Sequence, residues 1–197
     1  MNDRWWRIVR IAFFELVILL LVAVLGTMAQ APAPIVDISL KYAVARTDLA
    51  AAGGSNEHLF GTSVAVRVNS WAHGRADWLR FGGTPEAHVA LFGLEARRSL
   101  KGILPPSDVF KPEAFEVFGV VQGGFARAIV AGAKADNDFA ASVGGGLDFT
   151  ATRTDGVVVL RVFEVRYLRA NLFDNGRFFK NNALVEAGIK INIDRLF

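Results

Sequence analysis

His58, His73 and His88 are the histidines of this cysteine-free chain, and none is spaced from another His, Asp or Glu as a metal motif requires. The absence of Cys excludes disulfides and Cys-based zinc or redox sites. The histidines are expected in turns or at interfaces. Asp48, Ser55 and His58 lie close together in sequence, and an acid, a serine and a histidine are the ingredients of acyl transfer. Their order matches no nucleophile motif, and such residues are ordinary loop composition. Gly144-Gly145-Gly146 imitates a phosphate loop but sits inside a strand pattern, not before a helix. Glycines there are expected to let the sheet bend or to admit large neighbours. No catalytic, cofactor-binding or metal-binding residue is assigned.

The larger chemical inventory is a set of charges on alternate positions. Lys41, Arg67, Arg97, Arg166 and Lys190 stand against Asp37, Glu95, Glu116, Asp148, Glu164 and Glu186. If these charges share a closed interior they must pair, because an orphaned buried ion is strongly destabilising. Their mixed signs permit that pairing. The competing arrangement puts them in bulk water on the outside of a soluble barrel, with the aliphatic rows inside. Alternation alone does not separate the two.

The elements that place these charges read as strands. In the last stretch Ala183, Val185, Ala187, Ile189, Ile191 and Ile193 alternate with Glu186, Gly188, Lys190 and Asn192, a period of two. In a soluble protein such a strand would be an exposed, sticky edge. Residues 36–46 alternate without exception until Arg46, and 58–69 and 138–150 are nearly as clean. Strands are also read over 87–98, 114–127 and 157–169, where Arg161 is out of phase and suggests a bulge. Residues 76–81 are a strand without a clear register, since Trp78 and Phe81 fall on different faces; 70–75 read as a turn. Loops are expected at 47–57, 82–86, 128–137 and 170–181, and a proline-rich connection at 99–112. No helix is expected after Pro34.

The 197 residues suit one domain, 52% hydrophobic yet 21% charged. After the first thirty residues there is no long apolar run, which favours a barrel over a helical membrane protein. The formal charge is +3; removing residues 1–29 takes Arg4, Arg7 and Arg10 with Asp3 and Glu15 and leaves +2. A near-neutral chain offers no case for nucleic-acid binding. Arg4, Arg7 and Arg10, the apolar segment Ile11–Gly26 and the small residues around Ala29 describe a secretory signal, with cleavage expected after Ala29. A retained membrane anchor would have to include Glu15, a mid-membrane acid costing about 2.5–3.5 kcal/mol. Residues 30–35 form a short leader, and the barrel is expected over 36–197.

Strands of about 9–11 residues tilted near 45° cross a bilayer. In lipid the sheet must close on itself, since every unpaired backbone group costs several kcal/mol. An eight-strand barrel is just wide enough for its side chains to fill. The fold class expected is therefore all-β: an eight-stranded antiparallel up-and-down transmembrane β-barrel, preceded by a helical signal peptide.

Three stretches, AASVGGGLDFTA (140–151), LRVFEVRYLRANLF (160–173) and NNALVEAGIKINI (181–193), resemble the bacterial outer-membrane β-barrel domain family, whose known members include the OmpA-like and OmpX-like eight-strand barrels. The resemblance covers about residues 35–197 and departs at 76–81, at the prolines of the 99–112 connection, and after Ile193. It implies a bacterial outer-membrane location, a plugged charged lumen and a non-enzymatic structural or surface-interaction role. No peptidoglycan-binding domain is expected after the barrel. Implied partners are outer-membrane lipid, lipopolysaccharide, and the barrel-assembly machinery, which would read the C-terminal strand and Phe197. No cofactor is implied, and the oligomeric state stays open. Phe173, Phe178 and Phe179 with Arg177 and Lys180 could contact lipopolysaccharide, but an interfacial aromatic girdle is the preferred reading. Two alternatives stand beside this one. One is a secreted lipocalin-like carrier of an apolar ligand. The other is a barrel enzyme that modifies lipid A, a class that uses a His with a Ser and an acid near the outer rim, here Asp48, Ser55 and His58.

Overall fold

The computed structural model describes residues 36–47, 56–82, 86–103, 105, 111–129, 136–151, 157–174 and 177–193. They form eight strands: β1 (Val36–Arg46), β2 (Asn56–Arg67), β3 (Ala72–Phe81), β4 (Glu86–Ser99), β5 (Phe115–Ile129), β6 (Asp136–Thr150), β7 (Val158–Asp174) and β8 (Arg177–Asn192). Each strand pairs antiparallel with the next, and β1 pairs with β8, so the sheet is a closed up-and-down barrel. Among the described residues a 3-10 turn spans Pro112–Ala114, and no helix is long and apolar enough to cross a membrane. Residues 1–35 and Phe197, which hold the expected signal, leader and assembly signal, lie outside the described residues.

The period of two becomes two faces. On β1, Ile38, Leu40, Tyr42 and Val44 are exposed, while Asp37, Ser39, Lys41, Ala43 and Ala45 are buried. The same sense holds elsewhere: Leu40 is 64%, Val143 51% and Ile189 51% exposed, against 4% for Lys41 and 1% for Glu186. The apolar rows thus face outward and the charged row inward, the reverse of what a carrier of an apolar ligand needs.

The interior changes character along the barrel. At the end where β1 joins β2, β3 joins β4, β5 joins β6 and β7 joins β8 (the loop end), Leu59, Leu79, Phe81, Val89, Leu91, Leu168 and Leu184 pack with small alanines. The middle and the opposite turn end are polar. This gradient explains why Val89 and Leu91 blur the alternation of β4: its inward row runs Ala87, Val89, Leu91, Gly93, Glu95, Arg97, from apolar plug to charge.

Three expectations are corrected. The turn expected at 70–75 is shorter: Asn69 Oδ1 accepts hydrogen bonds from the backbone N–H groups of Trp71 (2.9 Å) and Ala72 (2.8 Å), and β3 begins at Ala72. The inward row of β3 is His73, Arg75, Asp77, Leu79 and Phe81, half polar and half apolar, so neither face looks uniform in sequence. The loop expected at 170–181 is mostly strand, because the ladder continues through Leu172↔Phe179, Phe173↔Phe178 and Asp174↔Arg177 after β7 has lost its pairing with β6 at Ala170. With one neighbour on each strand there, no alternation is demanded. The loop expected at 128–137 is likewise trimmed by β5 running to Ile129 and β6 starting at Asp136.

Arg161 is out of phase because the β7 register shifts between Arg161 and Glu164. Val162 and Phe163 both face outward across this bulge, so Arg161 and Glu164 both point inward.

Candidate functional site

Inside the middle of the barrel, Arg75 on β3 is held from three directions. Its Nε donates to Asp77 Oδ1 at 2.9 Å, its Nη1 to Glu95 Oε2 at 2.5 Å, and its Nη2 to both oxygens of Glu164 at 2.9 Å. Arg166 on β7 places Nη1 2.7 Å from Asp77 Oδ2 and donates from Nη2 to Glu164 Oε1 at 2.8 Å and to Glu186 Oε2 at 3.2 Å. Its Nη1 also reaches Gln122 Oε1 at 3.2 Å. Lys41 Nζ lies 3.0 Å from Glu186 and 3.4 Å from Asp77, as ion pairs outside good hydrogen-bond angles. Arg161 donates from Nε to Asp148 at 2.9 Å and from Nη1 to Glu164 at 2.8 Å, and its guanidinium lies 4.0 Å from the centroid of the Phe118 ring.

Toward the turn end, Arg97 donates to both Asp37 and Glu95, and Lys190 Nζ donates to Asp148 Oδ2 at 2.8 Å and lies 4.0 Å from Asp37. A cavity of about 230 Å³ opens beside them, lined by Arg67, His73, Arg97, Glu116 and Lys190 among others. His73 Nδ1 and Asn192 Oδ1 are buried there without a hydrogen-bond partner.

Lys41, Arg75, Arg97, Arg161, Arg166 and Lys190 thus balance Asp37, Asp77, Glu95, Asp148, Glu164 and Glu186 one for one, in a single connected network. Every carboxylate meets at least two cations. A closed interior of this size can hold ions only when each loses its water to a partner. The chemistry of the arrangement is cohesion: guanidinium groups brace opposite walls.

Of the residues expected in this network from sequence, Asp37, Lys41, Glu95, Asp148, Glu164, Arg166, Glu186 and Lys190 are buried in the interior, and Arg97 is half-buried. Arg67, exposed, and Glu116, half-buried, line the mouth cavity instead. Sequence reading missed Arg75 and Asp77, which the mistaken turn and the unclear register concealed, and it recognised Arg161 only as a phase break. The parity of Arg75, Asp77, Leu79 and Phe81, continued backward from a strand already suspected, was the available signal.

The remaining chemical candidates are scattered. His58 faces outward, with its Nδ1 2.5 Å from the Tyr42 hydroxyl; Asp48 and Ser55 lie outside the described residues. His88 also faces outward and stacks on Trp78, with ring centroids 5.5 Å apart. Among the described residues no three His, Asp or Glu are grouped to hold a metal. The triple glycine makes room: a Cβ on Gly146 would sit 2.8 Å from Phe118 Cζ and 2.1 Å from the Phe163 carbonyl oxygen. Phe118 can therefore lie inside the barrel, against Arg161.

Comparison with known proteins finds no matching family model and no matching curated protein. Solved structures do match. Neisserial surface protein A aligns with TM-score 0.54 and 14% identity, over 82% of this chain and 97% of that chain. The attachment invasion locus protein Ail of Yersinia pestis aligns at 0.49 and 13%, over 81% and 99%. The N-terminal β-barrel domain of Pseudomonas aeruginosa OprF aligns at 0.45 and 12%, over 79% and 96%. The similarity to the neisserial protein supports the fold, a closed eight-stranded barrel.

Proposed function

We propose that this protein is a non-enzymatic barrel of a bacterial outer membrane, closed to solutes by its own side chains, with a structural or surface-interaction role. One observation carries the reading. Large apolar side chains, among them Leu40, Phe60, Leu94, Val121, Val143 and Val185, stand exposed around the whole outer wall, while the ions are sealed inside. A soluble monomer rarely exposes a contiguous apolar patch beyond a few hundred Å². A bilayer is the solvent that this surface fits.

On this reading the loop end faces the exterior and the turn end, where β1 begins and β8 finishes, faces the periplasm. The segment 1–29 acts as the secretory signal, residues 30–35 as a leader, and the C-terminal strand with Phe197 as the handle for the assembly machinery. Membrane lipid and lipopolysaccharide are its surroundings.

Fractionation of cells expressing the full chain tests this directly. The protein should pellet with the outer membrane and, in mild detergent, run on gels at two mobilities that heating merges. Recovery in the soluble periplasm, with a single mobility before and after heating, would overturn the membrane reading.

A further inference from the structure

Among the described side chains of the outer wall, nearly all the charge lies at one end and has one sign. Among the described outward-facing side chains of the strands, the charged ones are Arg46, Arg80, Arg98, Arg127 and Arg169, and none is acidic. Only Arg98 is at the turn end. The others sit at the loop end with His58 and His88. Register places them side by side: Arg80 is opposite His88, and His88 is opposite Arg127, on three successive strands. Arg46 faces Asn56, Arg127 faces Asn137, and Arg169 faces Asn181. One outward step toward the membrane from these residues stands an apolar or aromatic row: Val44, Phe60, Trp78, Phe125, Phe139 and Tyr167. At that height a membrane-spanning barrel passes from hydrocarbon to headgroups.

Guanidinium groups just above an aromatic girdle lie at headgroup depth, and a phosphate accepts two hydrogen bonds at once from a planar guanidinium. We infer that Arg46, Arg80, Arg127 and Arg169, with His58 and His88, form a belt that binds the phosphate groups of lipids in the leaflet at the loop end. The occupant is a membrane lipid with phosphate at its acyl–headgroup boundary. The inference rests on the membrane reading above. Among the described outward-facing strand side chains, the turn end carries one cation, Arg98.

The test uses the full chain, the variant R46Q/R80Q/R127Q/R169Q, and R98Q as a control. Each is refolded in a non-ionic, phosphate-free detergent and titrated with bisphosphorylated lipid A or its dephosphorylated form, with bound lipid counted by native mass spectrometry. Each guanidinium beside an anionic headgroup strengthens binding on the order of fivefold. The wild type should therefore bind the phosphorylated form at least about tenfold more tightly than the quadruple variant does. R98Q should match the wild type, and the dephosphorylated form should not distinguish the proteins. Should the quadruple variant fail to fold, R80Q and R127Q singly decide, each expected to lose on the order of fivefold. A wild type that binds both lipid forms alike, or a variant that keeps the wild-type preference, overturns the inference. Vesicle flotation separates this from the membrane reading: a wild type that floats but shows no phosphate preference removes the belt alone, and one that does not float removes both.

Discussion

Arg75 and Glu164 reach each other across the lumen. Arg75 Nη2 donates to both carboxylate oxygens of Glu164 at 2.9 Å, although β3 and β7 are four strands apart whichever way the barrel is followed. The contact ties opposite walls. Glu164 also accepts from Arg161 and Arg166, each at 2.8 Å, and is the hub of the interior network.

Glu164→Gln should leave these cations short of one carboxylate in a dry interior. Breaking a buried ionic network by one partner costs about 3–5 kcal/mol. Urea unfolding in detergent, followed by gel mobility, reads the loss. The double variant E164Q/R75Q should lose less than the sum of its two singles, by about 1–3 kcal/mol, because the two residues share one contact. An E164Q protein as stable as the wild type would show that the network does not brace the walls.

The outer wall offers a test that a soluble barrel would answer differently. Leu40, 64% exposed, lies opposite Thr62 and Ile189 and well inside the apolar band. In water, Leu40→Arg at an exposed position should change stability by less than about 0.5 kcal/mol. At the middle of a bilayer the same change costs about 2–4 kcal/mol, and near an interface about 0–1. Unfolding from lipid vesicles should therefore show a large loss for Leu40→Arg and a small one for Val68→Arg at the turn end. Equal losses at the two sites would contradict a depth-graded surroundings.

Gly146 and Gly119 should separate by space alone. A Cβ on Gly146 would collide with the Phe163 carbonyl and with Phe118, whereas one on Gly119 meets nothing nearer than 3.9 Å. Gly146→Val should destabilise by roughly 1–3 kcal/mol or more through overpacking. Gly119→Ala should stay within about 1 kcal/mol of the wild type. The same denaturation curves decide it, and a neutral Gly146→Val would mean that Phe118 can leave its place.

Planar-bilayer recordings should find no channel steps for the purified protein. Leu59, Leu91, Leu168 and Leu184 close the loop end, and salt-bridged side chains fill the middle. Eight strands leave room for side chains and little else. Reproducible conductance steps would mean that the plug opens.

Much of this architecture was legible in alternation, since a strand with an apolar outer face and a charged inner face must repeat every two residues. Val36–Arg46 appears in the structure with the bounds the pattern implies. Alternation failed where the interior changes character. On β3 the inward row passes from Arg75 and Asp77 to Leu79 and Phe81, so its period is hidden and two central members of the network go unseen. It failed again at Arg161, where one extra outward residue resets the phase. The partners of Glu164 were out of reach for another reason: contacts across a lumen depend on how the sheet curls, and no local pattern carries that.

The seam between β1 and β8 sets the order in which this molecule can be made. Leu40 meets Ile189 there, residues from the first and last of the eight described strands. Closing so long a loop is entropically costly and slow compared with making hairpins. Until the final strand has left the ribosome and found the first, both carry raw backbone edges, the kind that stick to any neighbour. Completion is thus a late event, and a chain cut before Arg177 would have no means of finishing it.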